Sequence, residues 1–225
     1  MYKKRKEKEK GNETLKQLMK STDNNEVIEL LRKHTREELV KIMEFTEENF
    51  ERTVTSFLHE NLRGLRRAMG SVKFEKQLIK QMKRTGTLAM CRLDNNTVLE
   101  KGLYYYQGND FASELVYSIS RLCEPCLEHI DNNFTPLPQA LIDEFEPVEN
   151  VALETIDEAR RMIYNRDFEK ADLFMVKANE ARHTLSALRD RQMIRMQSEE
   201  GNLRIEILYL NTLQETQELI STVRH

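Results

Sequence analysis

Two stretches of this chain decide its fold: YYQGNDFASELVYSIS at positions 105–120 and YLNTLQETQELISTVR at positions 209–224. They align when Tyr105 is set against Tyr209, and a Glu-Leu pair in each stretch then aligns as well. Apolar residues recur every three or four positions, as in an amphipathic helix, and neither half of the chain shows the alternation typical of a strand. Each stretch is the third helical run of its half. The sequence therefore predicts an all-α fold of two antiparallel three-helix bundles in a tandem pseudo-repeat.

The boundary between the halves is expected at NNFTPLPQ, positions 132–139. Pro136 and Pro138 disfavour helix at their own positions and at the residue before each. We therefore expect a first helical bundle over residues 24–134 and a second over residues 135–225. Residues 1–23 are expected to form a basic, flexible linker.

Within the halves, caps and periodicity predict the individual helices. Thr35, with Glu38 three residues later, resembles a capping box. It predicts that a short helix ends before Thr35 and that a long helix begins there. MKRTGTLAMCRLDNN, at positions 82–96, is predicted to be a connection that is helical in part. The other helices are expected at 26–33, 97–132, 141–164, 168–196 and 202–225. The expected core stripe of the last helix is Leu203, Ile207, Leu210, Leu213 and Ile220.

Composition excludes several classes of protein. The chain has 225 residues and a net charge of −3, which gives no sign of nucleic-acid binding. Three widely spaced cysteines indicate a reducing compartment and not a secreted disulfide framework. No apolar run approaches the roughly 18 residues of a membrane span.

The opening run MYKKRKEKEK is basic overall and has two interpretations. It is a hydrated, solubilising tail, or it is a segment next to the membrane that is drawn to anionic lipid. Glu7 and Glu9 dilute that attraction.

RLCEPCLEHIDNNFTP, at positions 121–136, offers the clearest candidate chemistry. Cys123 and Cys126 have the outline of a redox dithiol, but they follow a long helical run, whereas a reactive dithiol needs a helix N-terminus. With His129 they could also bind zinc, the fourth ligand being Cys91 or Asp131. The third interpretation, which we favour, places both cysteines in the core stripe and leaves His129 as a cation near the negative end of the helix.

No other pattern predicts catalysis or a cofactor. Glu180 and His183 have the i, i+3 spacing of a di-iron carboxylate site, but the chain has no second copy and both residues lie off the apolar stripe. Phosphate loops, nucleophile elbows and zinc-protease motifs are missing from the sequence. We therefore expect no enzymatic activity and no cofactor.

The third helices carry a family resemblance. YYYQGNDFASELVYSISRLCEPCLEHIDNNFTPL and LRIEILYLNTLQETQELISTV resemble the cytoplasmic C-terminal, PhoU-like region of bacterial sodium/phosphate (Na/Pi) cotransporters. The resemblance extends over roughly residues 35–225. It implies two three-helix bundles on the cytosolic side of a phosphate transporter, where they regulate uptake.

PhoU proteins carry a Glu-Arg-x-x-Asp metal motif in each third helix, and this resemblance places the matching positions at Gln217 and Ser221 in the second half and at Ser113 and Tyr117 in the first. All four lack a carboxylate, which hard cations prefer as a ligand, so metal binding is not expected. Gln217 falls on the apolar stripe. We therefore predict that its amide bonds a neighbouring helix, since an unpaired buried amide is destabilising.

The resemblance implies a non-catalytic regulatory or coupling domain of a sodium-dependent phosphate symporter, at the cytoplasmic face of the bacterial inner membrane. The expected partner is the transporter's membrane domain, in cis or in trans, with a homodimer also possible; no nucleic acid or small-molecule substrate is expected. The alternatives are a free-standing PhoU-type adaptor in phosphate signalling, which contacts a sensor kinase or another transporter, and a metal-binding or redox protein that uses Cys123, Cys126 and His129.

Overall fold

A computed structural model of the chain describes Lys20, residues 23–197 and residues 201–225. Within these residues all regular structure is helical and there are no strands, which confirms the all-α prediction. The helices are α1 (Asn24–Leu58), α2 (Leu62–Met90), α3 (Asn95–Asp131), α4 (Gln139–Asn165), α5 (Ala171–Arg195) and α6 (Leu203–Arg224). None of them combines the length and apolar character needed to cross a bilayer. The expected linker falls almost wholly outside the described residues.

Short polar side chains define most of the helix starts. Asp23, Asn61, Asp94 and Asn202 each accept a hydrogen bond from a backbone N–H in the first turn of the helix that follows. Such caps satisfy donors that have no partner inside the helix. The connections between α1 and α2 and between α2 and α3 are consequently only a few residues long.

The predicted break at Thr35 is wrong. α1 runs through it without interruption, and the Thr35 hydroxyl donates to the Leu31 carbonyl 2.9 Å away instead of capping a new helix. The connection predicted at 82–96 is also mostly helix, because α2 continues to Met90 and α3 begins at Asn95. The capping box was misleading because its threonine found an acceptor one turn earlier in the same helix.

The helices contact one another in two trios. α1, α2 and α3 pack together, as do α4, α5 and α6; across the trios, α1 packs on α4 and α3 on α6. The second helix of each trio, α2 or α5, contacts only its own trio within the described residues.

The two trios share one hydrophobic core. A continuous cluster of buried side chains draws on all six helices, including Phe50, Leu65, Leu115, Ile156 and Leu213. A smaller cluster lies at one end, where Ile28 and Leu31 of α1 meet Met90, Leu93 and Tyr105.

The predicted stripe of the last helix is partly wrong. Leu213 and Ile220 are buried, but Leu203 and Ile207 are exposed and Leu210 is half-buried. The side chains that face the core from α6 are Ile205, Leu208, Tyr209, Thr212, Leu213, Thr216, Leu219, Ile220 and Val223.

Candidate functional site

The Cys-Glu-Pro-Cys segment lies in the last three turns of α3, and both thiols are buried. The Cys123 thiol donates to the Leu65 carbonyl on α2, at 3.6 Å. Burial raises the pKa of Cys123 and of Cys126. Because the thiolate is the form that attacks a disulfide or binds a metal, this environment opposes both redox and metal chemistry. The geometry supports the interpretation of both cysteines as core residues.

His129 is buried in the last turn of α3, just before the connection to α4. Its Nε2 lies 2.9 Å from the Thr135 carbonyl, which can only accept, so Nε2 carries a proton. The ring packs edge-on to Phe57 and also contacts Phe134. His129 therefore fixes the path of the chain after α3, a role that the sequence did not indicate; its predicted positive charge stays a prediction.

The structure does not bring the proposed zinc ligands together. Cys91 is exposed just before α3, and the cysteines near the end of that helix lie about 40 Å further along its axis at the rise of an α-helix. Asp131 forms an ion pair with Arg66, at 2.6 Å. In the part of the chain that the structure describes, no group of three or more His, Cys, Asp or Glu side chains has a metal-binding arrangement.

Glu180 and His183 both lie on the exposed face of α5. This confirms the prediction that the pair faces water. Neither side chain points into the core, where the carboxylates and histidines of a di-iron site would have to be.

The two positions of the first half that the resemblance matches to the metal motif lie in different environments. Ser113 is buried, and its hydroxyl donates to the Asn109 carbonyl at 2.7 Å. Tyr117 is partly exposed, and the Lys76 ammonium lies 4.8 Å from the centre of its ring. A cation over the ring is a favourable arrangement, but it would repel a metal ion at the same place.

In the second half, Gln217 forms the bonds that the sequence predicted. Its amide donates to the Arg182 carbonyl at 3.3 Å and accepts from the Arg189 guanidinium at 2.7 Å, both on α5. The prediction that Gln217 bonds a neighbouring helix is confirmed. Ser221, one turn later, is half-buried.

The seam between α5 and α6 around Gln217 is basic. Arg224 of α6 reaches back to Asn179 of α5, at 2.5 Å. Among the residues that the structure describes, no carboxylate lies within ion-pair distance of Arg182, Arg189 or Arg224. Three guanidinium groups without carboxylate partners disfavour a metal cation at this seam, because like charges repel.

An ionic centre inside the second trio was not predicted. Glu144 of α4 accepts from Arg195 at 2.6 Å and from the Tyr209 hydroxyl at 3.2 Å, and Arg191 lies 3.9 Å away. Burial, followed by the charge of Glu144, raises the pKa of Tyr209. Tyr105, its counterpart in the first trio, donates to the Met82 carbonyl at 3.2 Å. Both aligned tyrosines therefore donate to an acceptor on another helix.

Charged groups also bridge the two trios. Arg121 of α3 binds Glu114 of its own helix at 2.7 Å and Glu215 of α6 at 2.8 Å. On the other side, Arg160 of α4 lies 3.2 Å from Glu47 of α1. Ion pairs that water still reaches contribute little stability each, so these pairs set the orientation of the trios more than they stabilise the fold.

One end of the molecule has an exposed apolar surface, which we call the apolar end. It comprises the end of α2 and the first turns of α3: Leu88, Leu99, Leu103, Tyr104 and Tyr106. A cavity of about 180 Å³ opens beside it, lined by residues that include Ile28, Leu31 and Tyr105. The signal was present in the sequence, because apolar residues at the start of α3 occur on more than one face of the helix, where a surface helix normally has only one apolar face.

The chain matches no protein-family model, no curated protein and no solved structure.

Proposed function

We propose that this chain is a non-catalytic, PhoU-like regulatory or coupling module of sodium-dependent phosphate transport. It acts through helix–helix contacts with the membrane domain of a sodium/phosphate symporter, in cis or in trans, at the cytoplasmic face of the bacterial inner membrane. Residues 24–134 and 135–225 are its two PhoU-like bundles.

The observation that carries this proposal is the equivalence of α3 and α6. They are the third helices of their trios, they pack against each other, and they contain the two segments that resemble the cotransporter region. Tyr105 and Tyr209 are both buried hydroxyl donors, and the aligned Leu115 and Leu219 are both buried. Matching positions in similar environments support a duplicated three-helix unit.

The surroundings of the cysteines and of the positions matched to the metal motif support a protein that acts by binding other helices. The thiols of Cys123 and Cys126 are held in the core. Of the four positions matched to the metal motif, Tyr117 adjoins Lys76 and Gln217 adjoins the arginines of the α5–α6 seam. A module of this kind influences a transporter by binding one of its conformations more tightly than another.

Sodium-driven uptake of radiolabelled phosphate tests the proposal. The membrane domain of a bacterial sodium/phosphate symporter is reconstituted in proteoliposomes, and the purified chain is presented to its cytosolic face. We expect the phosphate concentration for half-maximal uptake to shift about fivefold or more, as in typical coupled equilibria. An unrelated helical protein of similar net charge is the control and should produce no shift.

The result against the proposal is equally specific. If the folded chain neither co-purifies with the symporter domain nor changes uptake, the transport role is wrong. Binding to the cytosolic part of a phosphate-sensing kinase in the same experiment would instead favour the free-standing adaptor.

A further inference from the structure

Three arginines of the α5–α6 seam have no counter-ion within the described part of the chain. Arg182 and Arg189 lie on α5 and Arg224 lies on α6, and all three are partly buried. The guanidinium of Arg189 binds the neutral amide of Gln217 at 2.7 Å, and that of Arg224 binds the neutral amide of Asn179 at 2.5 Å. These amides supply acceptor atoms, but they do not neutralise the charges.

Partly buried arginines elsewhere in the chain have a different arrangement. Arg52 pairs with Glu48 at 2.6 Å, and Arg195 pairs with Glu144 at 2.6 Å. A positive charge that is partly removed from water is costly unless an anion lies beside it. The seam therefore contains three charges that a bound anion would stabilise.

The guanidinium groups of the seam also have donors without acceptors. The Nε–H groups of Arg182, Arg189 and Arg224 are covered, and none of them has a hydrogen-bond partner among the described residues. A covered donor without an acceptor is costly, and an anion in the seam would supply acceptors to several donors at once. The negative end of α6 stabilises a cation at Arg224 alone, because Arg182 and Arg189 lie in the interior of α5.

The positions of the three arginines favour an extended anion. Arg182 and Arg189 are two turns apart on α5, which is about 10 Å along the helix axis. Arg224 binds Asn179, one turn before Arg182, so the three arginines follow one another along the seam. A single orthophosphate ion presents its oxygens at one point of this row. Two or more linked phosphates place negative charge along it.

The acidic residues that are nearest in sequence do not lie in the seam. Glu180, Asp190 and Glu218 are exposed. Glu180 is two residues from Arg182, or about 200° around the helix, and therefore lies on the far side of α5. Asp190 and Glu218 each follow a seam residue by one position, which turns them about 100° around their helices toward water. An anion in the seam would thus contact arginines and amides before it meets a carboxylate.

We propose that the α5–α6 seam binds a chain of two or more linked phosphates through the guanidinium groups of Arg182, Arg189 and Arg224. Guanidinium groups suit this ligand because they stay charged and bind phosphate oxygens through pairs of N–H groups. The ligand is either a free inorganic condensed phosphate or the phosphate tail of a nucleotide, which share this chemistry. No such ligand was expected from the sequence. The inference goes beyond the proposed transport role and does not depend on it, because the site lies within this chain.

Isothermal titration calorimetry of the full chain tests the inference, in a buffer of low chloride concentration without added metal ions. We expect saturable binding of sodium tripolyphosphate, with an affinity about tenfold or more above that for sodium orthophosphate. A parallel titration with ATP distinguishes the two sources of the ligand. An affinity for ATP that equals or exceeds the affinity for tripolyphosphate would indicate a nucleotide, and a lower one would indicate a free inorganic phosphate chain.

The variant R182Q tests the site directly. It should weaken tripolyphosphate binding about tenfold or more, because it removes a charged donor. The Arg182 side chain has no partner among the described residues, so the variant should unfold in urea like the wild type. R67Q is the matched control: it removes the same charge from an exposed position on α2 and should bind like the wild type.

A second variant tests the unpaired state of the arginines. N179D places a carboxylate of nearly the same shape at the acceptor that Arg224 already binds. It should fold normally and weaken tripolyphosphate binding about tenfold, because the added charge pairs with Arg224 and repels the ligand. N96D adds the same charge at an exposed position on α3 and should leave the affinity unchanged.

Three results would overturn the inference. In the first, the folded wild type does not bind tripolyphosphate. In the second, it binds orthophosphate as tightly as tripolyphosphate, which would exclude an extended ligand. In the third, R182Q and N179D both bind tripolyphosphate like the wild type, which would place the binding outside the seam. Because the titrations contain no transporter, none of these results bears on phosphate uptake.

Discussion

At the scale of single residues, the hydroxyl of Tyr209 has the clearest energetic role. It donates to Glu144, a carboxylate that also binds Arg195, inside the second trio. Removing the hydroxyl takes one donor from a largely buried charge. We expect Tyr209→Phe to lower the free energy of unfolding by about 1–2 kcal/mol in urea titrations. Tyr164→Phe, at an exposed tyrosine, should change it by less than about 0.5 kcal/mol.

The same tyrosine predicts a pH dependence. Because the pKa of Tyr209 is raised in the folded state, its contribution to stability is complete below the unfolded pKa of about 10 and declines as the pH rises above that value. The difference in unfolding free energy between the wild type and Tyr209→Phe should therefore shrink above about pH 10. A difference that stays constant or grows would contradict the assignment.

The three cysteines should differ sharply in reactivity. Cys91 is exposed, whereas Cys123 and Cys126 are buried and have raised pKa values. With a coloured disulfide reagent, we expect one thiol per native chain to react fast and three to react in denaturant. The Cys91→Ser variant should show no fast thiol. A second fast thiol in the native wild type would reopen the redox interpretation of the Cys-Glu-Pro-Cys segment.

The hydrogen bonds of two threonines explain why the core-facing side of α6 was not predicted from the sequence. Thr212 and Thr216 face the core, where each hydroxyl donates to the carbonyl four residues earlier, at 2.9 and 2.8 Å. A threonine that satisfies its own hydroxyl in this way is apolar toward its neighbours. An apolar stripe drawn only from leucine and isoleucine missed this face. Counting threonines at i and i+4 as core residues would have found it.

At the scale of elements, α2 and α3 approach closely at Gly86. An alanine Cβ at this position would overlap the Tyr105 hydroxyl, whose ring is buried. Gly70 lies in the same helix with nothing within 4 Å of the added carbon. Alanine substitutions at the two glycines therefore distinguish the effect of helix propensity on stability from the effect of packing.

We expect opposite effects from the same substitution at these two positions. Gly70→Ala should stabilise the protein by up to about 1 kcal/mol, the usual gain in helix propensity. Gly86→Ala should destabilise it by about 1–3 kcal/mol, because the Tyr105 ring has to move in a packed site. Urea titrations of both variants measure the difference. If Gly86→Ala were as stable as Gly70→Ala, the close contact between α2 and α3 would be wrong.

Helix boundaries were predictable where the chain itself carries the signal. The prolines after Asn132 separate α3 from α4 as expected, because their effect on the backbone is local. The continuity of α1 through Thr35 was not predictable, since a threonine hydroxyl serves equally well as a cap or as a donor within the helix. The smaller cluster favours a continuous helix at Thr35, because Leu31 of α1 packs there with Met90 of α2.

At the scale of the whole molecule, the shared core makes the two trios one unit of stability. Leu115 of α3 and Leu213 of α6 belong to the same continuous cluster, although they lie in different halves of the chain. Periodicity predicted that both are buried. It could not predict that they share a core, because a stripe shows which face is apolar and not which helix covers it.

This shared core predicts a single unfolding transition. Leu115→Ala and Leu213→Ala should each lower the unfolding free energy by about 2–5 kcal/mol and move the same transition. Circular dichroism and tyrosine fluorescence should report coincident midpoints for both variants. Val176→Ala, at an exposed position, should leave the transition in place. Separate transitions that respond to one variant each would mean that the halves fold independently.

The outer positions of α2 and α5 predict which helices unfold first. Among the described residues, each contacts only helices of its own trio, whereas the other four form the junction between the trios. Either outer helix can detach while that junction stays closed. In native-state hydrogen exchange, amides of α2 and α5 should therefore exchange through partial openings of lower free energy, and amides of α1 and α3 only when the whole chain unfolds.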